Sequence, residues 1–139
     1  GWEKWNAHYW SEHYPDWLDF FFHELFSEPH STKPIDDGIG WGLETTPEFL
    51  GLTVANPAMF PAMLLDEAIG RIQCPALLIH GDDDRIADVE HSRRLVALRP
   101  DWELLEMQDC GHGVMLRDPV RTNLAIADFL RRRGWSGRQ

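Results

Sequence analysis

Ala76 to His80 is a short continuous apolar run that stops at Gly81, the pattern of a strand buried on both faces. A second run, Trp102 to Met107, leads into a turn from Asp109 to Gly113. Helical periodicity fills the interval from about Asp88 to Leu98. It returns from Pro119 to Arg132, with Val120, Leu124, Ala127 and Phe129 expected to face inward. Two strands joined through a helix pair in parallel, because a parallel connection needs a long crossover and a helix supplies it. The expected class is therefore α/β with a parallel sheet.

The chain before these strands is built differently. Apart from Trp102, Phe129 and Trp135, every aromatic residue lies in positions 1–66. Trp17, Leu18, Phe21, Phe22, Leu25 and Phe26 recur at helical spacing and stop before Pro29, and Trp2, Trp5 and Tyr9 trace a weaker stripe before Pro15. Ser31 or Thr32 can cap a third helix with Pro34 in its first turn, where Asp36 and Asp37 suit the positive end of the dipole. Gly38, Gly40 and Gly42 fall inside that helix, each costing about 1 kcal/mol against Ala, so close approach of another backbone is expected there. Thr45 and Glu48 have capping-box spacing around Pro47 and open a fourth helix that should stop before Pro57. The composition shift divides the chain into a helical region at 1–66, an α/β region at 67–133 and a tail at 134–139.

Charge and cysteine content narrow the function. With 13 Lys and Arg against 23 Asp and Glu, the net charge of −10 repels phosphate backbones and anionic bilayers, so neither nucleic acid nor membrane is an expected partner. The one basic cluster, Arg131 to Arg133, closes a helix and suits the negative end of its dipole. Cys74 and Cys110 are too few for a disulfide framework and read as free thiols of a cytoplasmic protein. No apolar run approaches the roughly 20 residues of a membrane span.

The chemistry concentrates at the ends of the two strands. After Gly81 the chain turns through Asp82, Asp83 and Asp84, and after the second strand it turns through Cys110, Gly111 and His112. Ligand sites in open α/β sheets lie beyond the carboxyl ends of the strands, so this order sets an acid and a histidine on successive loops at one edge. Any of the three aspartates could serve the turn alone, with Asp88 as a helix cap. His8, His13, His23, His30 and His91 stand singly without metal-ligand spacing and read as solvated or packing residues.

Gly81-Asp-Asp-Asp84 and Gly111-His112, with the trailing Arg117-Asp-Pro119, resemble the closing portion of the α/β-hydrolases over residues 70–132. The resemblance implies the C-terminal half of that parallel sheet, preceded at 1–66 by a helical cap. It implies Asp84 as the catalytic acid that orients the imidazole and His112 as general base and then acid. His80-Gly81 imitates an oxyanion-loop motif of the family but precedes the acid, and it reads as structural. The family order also demands a nucleophile before Asp84 on a Gly-x-Ser-x-Gly turn. No such turn occurs: Ser11, Ser27 and Ser31 lack flanking glycines, and Ser136 falls after His112.

The expectation is a hydrolase of ester or related carbon bonds whose nucleophile, serine by the resemblance, comes from an N-terminal half acting as this chain's partner. By itself the chain should be inactive. No metal or organic cofactor is implied. Trp10, Trp17, Phe21 and Trp41 are candidate contacts for a small apolar or aromatic substrate, though aromatics of this density also build a core of their own. Two other readings stand beside this one: a non-catalytic binding module on the same fold, and an aspartate-nucleophile dehalogenase or epoxide hydrolase.

Overall fold

The computed structural model describes residues 1–55 and 65–135. They form two compact units, one of Gly1–Phe22 with Ile35–Cys74 and one of His23–Pro34 with Pro75–Gln139. Among the described residues there are seven α-helices and two strands: α1 (Ala7–Leu25), α2 (Thr32–Leu43), α3 (Pro47–Ala55), α4 (Leu65–Arg71), β1 (Leu77–Gly81), α5 (Val89–Leu98), β2 (Glu103–Met107), α6 (Val114–Arg117) and α7 (Pro119–Arg132).

In the helical unit, Trp2 lies in a 3₁₀ turn at Trp2–Lys4 and Trp5 just after it, while Tyr9 shares one kinked helix, α1, with Trp17, Leu18, Phe21 and Phe22. The break in α1 is at His13, where φ is −135° and ψ 37°, two residues before Pro15. Proline has no N–H for the helical ladder and its ring crowds the preceding turn, so the kink has a local cause. The core gathers Trp10, Tyr14, Trp17 and Leu18. Two of the three glycines of α2 are explained by side chains rather than by a neighbouring backbone. A Cβ at Gly38 would stand 2.4 Å from the Phe22 ring and one at Gly42 2.6 Å from Leu18, whereas Gly40 has nothing within 4 Å. At α3 the cap is also displaced from expectation, since Thr46 Oγ1, not Thr45, accepts the N–H of Phe49 at 3.3 Å. Pro57 lies outside the described residues.

In the second unit β1 and β2 pair in parallel, Leu77 opposite Glu103 through Gly81 opposite Met107. Helix α5 packs on both strands, while α6 and α7 pack on β1. Asp88 caps α5 by accepting the Glu90 N–H at 2.9 Å, and Asp118 caps α7 by accepting that of Arg121 at 2.9 Å, with Pro119 in the first turn. Met107, Cys110 and Val114 form the buried core, joined by Ile79 and Leu105.

Two expectations about burial fail here. Leu77 to His80 are half-buried rather than enclosed. On α7 it is Thr122 that is buried, while Ala127 is exposed and Val120 and Leu124 are 67% and 65% exposed. The helix turns Thr122 toward the core, where its hydroxyl bonds the Val114 carbonyl at 3.3 Å, and this sets the Val120 and Leu124 face outward. An apolar groove of about 550 Å³ runs beside it, lined by Leu77, Ile79, Val114, Ile126 and Phe129 among others.

The basic cluster at the end of α7 is neutralised. Arg132 reaches Glu103 at 2.6 Å and Asp128 at 2.8 Å, Arg133 reaches Glu103 at 3.0 Å, and Arg131 reaches Asp128 at 3.1 Å. No described helix is long and apolar enough to cross a membrane.

Candidate active site

The turns that follow β1 and β2 are bonded to each other. The N–H of Asp82 donates to the Met107 carbonyl and that of Asp83 to the Cys110 carbonyl, each at 3.0 Å. Gly81 makes this approach possible, because a Cβ there would stand 2.1 Å from the Cys110 oxygen and 2.3 Å from the Gly111 oxygen. Both turns therefore present their side chains at one end of the sheet.

The result is a hydrogen-bonded pair of Asp84 and His112, with Nδ1 of the imidazole 2.7 Å from Oδ2 of the carboxylate. The Asp84 side chain is 2% exposed and that of His112 43%. Oδ1 of Asp84 accepts the N–H groups of Ile86 at 2.8 Å and Ala87 at 2.9 Å. Burial pushes the Asp84 carboxyl up, but the Ala87 N–H, the His112 ring and the Ile86 N–H together outweigh it and hold the group below the ordinary carboxylate value. An ionised carboxylate can only accept, so the imidazole proton sits on Nδ1 and Nε2 is left as the basic nitrogen. A pocket of about 210 Å³ adjoins the pair, lined by Ile79, His80, Gly81, Val114 and Met115 together with both members.

The short segment from Leu25 to Ser31 braces both turns, and nothing in the sequence announces it. The N–H of His112 donates to the Leu25 carbonyl at 2.9 Å, and the Ser27 hydroxyl donates to the Asp83 carbonyl at 2.7 Å. Glu28, whose side chain is 1% exposed, accepts the Gly111 N–H at 2.9 Å and the Ser31 hydroxyl at 2.7 Å, with the Arg117 guanidinium 3.7 Å away. Gly111 and Gly113 admit this brace. A Cβ on Gly111 would stand 2.8 Å from the Leu25 oxygen, and one on Gly113 2.1 Å from the Phe26 ring.

The other candidates are described within their own units. Trp10 and Trp17 are buried in the aromatic core of the helical unit, Phe21 is half-buried against Trp17, and Trp41 is exposed. His91 lies on α5 with Nδ1 near the Asp88 carbonyl at 3.0 Å. Of the two free thiols Cys74 is exposed and Cys110 buried. Burial, aided by the charge of Glu28, pushes the Cys110 thiol up to about 11, so this thiol beside the pair is protonated and unreactive at neutral pH.

No family model matches the chain. Over 84 residues it is 34% identical to a 2-hydroxy-6-oxononadienedioate/2-hydroxy-6-oxononatrienedioate hydrolase of Burkholderia vietnamiensis, a match covering 60% of this chain and 28% of that protein. Over 108 residues it is 27% identical to a 2-hydroxy-6-oxo-6-phenylhexa-2,4-dienoate hydrolase of Burkholderia cepacia, covering 76% of this chain and 38% of the relative. In three dimensions it superposes on an esterase of Exiguobacterium antarcticum with a TM-score of 0.74 at 14% identity, over 90% of this chain and 46% of the esterase. The fold is that of the C-terminal portion of an α/β-hydrolase. The chain spans less than half the length of each of these three proteins.

Proposed function

We propose that this chain supplies the acid and the histidine of a hydrolase active site whose nucleophile and oxyanion hole come from a preceding half of the same α/β-hydrolase. The observation that carries this reading is the 2.7 Å contact between His112 Nδ1 and a buried, fully hydrogen-bonded Asp84. A histidine held in this way keeps Nε2 free for proton transfer, and Asp84 stabilises the imidazolium as it forms. A nucleophilic hydroxyl would give its proton to Nε2 while attacking a carbonyl. The imidazolium would return that proton to the leaving group, and water would then release the acyl product by the same exchange. Oxyanion donors are needed where charge develops, and they belong to the other half.

The reaction class that fits is hydrolysis of an ester or of a carbon–carbon bond next to a carbonyl. The relatives named above support it, as do the partly apolar walls of the pocket formed by Ile79, Val114 and Met115. A small apolar or ring-bearing acyl substrate suits those walls.

The test is covalent labelling of the assembled protein with a fluorophosphonate, which marks an activated serine. Labelling should occur outside residues 1–139 and should disappear in His112→Ala. Hydrolysis without labelling would replace the serine by an aspartate nucleophile. The absence of both would leave a binding module in place of an enzyme.

A further inference from the structure

We infer that His80 is a positioning residue for Asp84, and that Ser92 in turn orients His80; this rests on the reading of Asp84 and His112 as acid and base. Nε2 of His80 lies 2.9 Å from the Ala87 carbonyl and 3.0 Å from Asp84 Oδ2. A carbonyl oxygen only accepts, so the ring proton is on Nε2 and bonds the Ala87 carbonyl, with the carboxylate oxygen 3.0 Å from the same nitrogen. Nδ1 lies 2.7 Å from the Ser92 hydroxyl, which donates to it when the ring is neutral. Asp84 Oδ2 thus has a histidine nitrogen on each side: His112 at 2.7 Å, which reaches toward the pocket, and His80 at 3.0 Å, which comes from the strand.

The arrangement has a mechanical purpose. The Ile86 and Ala87 N–H groups fix Oδ1 but leave the carboxylate able to swing about that oxygen. The Nε2–H of His80 beside Oδ2 fixes the plane, so that a lone pair points at His112 Nδ1. His80 is suited to this because it is the last side chain of β1 before Gly81 and its far nitrogen is tied to α5, so both supports are regular elements rather than loops. Ser92 is buried, and its hydroxyl has the ring as its partner. His80 could instead serve only to close the turn through Ala87, and the experiment separates the two roles.

In the full-length, nucleophile-bearing protein, kcat and KM are measured for His80→Ala, His80→Gln and Ser92→Ala, with the fraction folded determined for each. The low-field proton signal of His112 Nδ1 is followed by NMR in the same set. Positioning predicts that His80→Ala lowers kcat roughly tenfold per folded molecule, about the worth of one hydrogen bond to a charged acceptor, with KM within twofold. Ser92→Ala should give a smaller fall of the same kind. His80→Gln, which restores an N–H donor at the position of Nε2, should recover most of kcat and return the His112 signal toward the native position. A loss of folded fraction with kcat per folded molecule and the NMR signal unchanged would overturn the inference. If His80→Ala does not fold, an unchanged kcat in Ser92→Ala has the same force. Retention of full activity by Asp84→Asn would instead bring down the dyad itself, and the two failures are thereby told apart.

Discussion

Glu28 and Gly111, distant in sequence, are joined by a buried hydrogen bond of 2.9 Å that holds the backbone one residue before His112. The carboxylate is also bonded to Ser31 and faces Arg117, so its removal strands a buried N–H and a hydroxyl. Glu28→Ala should cost about 2–4 kcal/mol, the range for deleting one member of a buried charged network. Chemical denaturation of the assembled protein checks the stability. A larger loss in kcat than in 1/KM would show that the His112 turn has loosened, whereas a change below about 0.5 kcal/mol, ordinary for a surface site, would mean the brace is dispensable.

Loss of His112 should be far more severe than loss of the brace. In the assembled enzyme His112→Ala should reduce turnover by several orders of magnitude, and Asp84→Asn by about four, because the imidazole is then left in the wrong tautomer. His91→Ala, on the exposed face of α5, should change it little. Equal and mild effects at all three positions would remove the dyad from the chemistry.

The depressed carboxyl of Asp84 makes a prediction about acid. A group whose folded value lies below its unfolded value contributes stability above the unfolded value and loses it as pH falls through the folded one. Asp84 should therefore stay ionised below the ordinary carboxylate range near pH 4, and the His112 contact should survive there. An NMR titration of labelled aspartate in the assembled protein reads this directly. Stability should also fall less steeply with acid in Asp84→Asn than in the parent, and identical slopes would refute the assignment.

Residues 1–139 expressed alone should be insoluble or loosely packed and without esterase activity. Among the described residues the sheet has two strands, and β1 carries an apolar groove while Val120 and Leu124 face outward. Parallel strands are normally covered on both faces, and open apolar edges lead to aggregation. Co-expression with the preceding half should give a one-to-one complex. A monomeric isolated chain with a cooperative unfolding transition would overturn this expectation.

The same outward residues show where sequence reading fails. The strands, their parallel order and the helices α5 and α7 are legible because apolar runs, capping aspartates and glycine stops are local signals. That an acid and a histidine share one edge is legible because both follow strand ends, whereas the choice of Asp84 among three aspartates comes from the family resemblance. The inward face of α7 is not, since Val120 and Leu124 have the right spacing for a core that the described residues do not supply. Nor is the brace from Leu25 to Ser31, because two of its contacts use backbone carbonyls, which any residue carries, and its partners lie across the chain. His80 illustrates a third limit: its place before Gly81 marks it as structural, and its contacts with Asp84 and Ser92 emerge only when strand and helix are packed together.

The brace also fixes where this protein can be recombined with its relatives. A graft that exchanges residues 1–74 as one block, following the order of the sequence, would import foreign residues at positions 25, 27 and 28 and leave the His112 turn with a mismatched support. Residues 23–34 group with the strands, and not with the helices on either side of them in the chain. A working chimera therefore needs its seams at Phe22 and Ile35, with the intervening dozen residues inherited together with Asp83, Gly111 and Arg117.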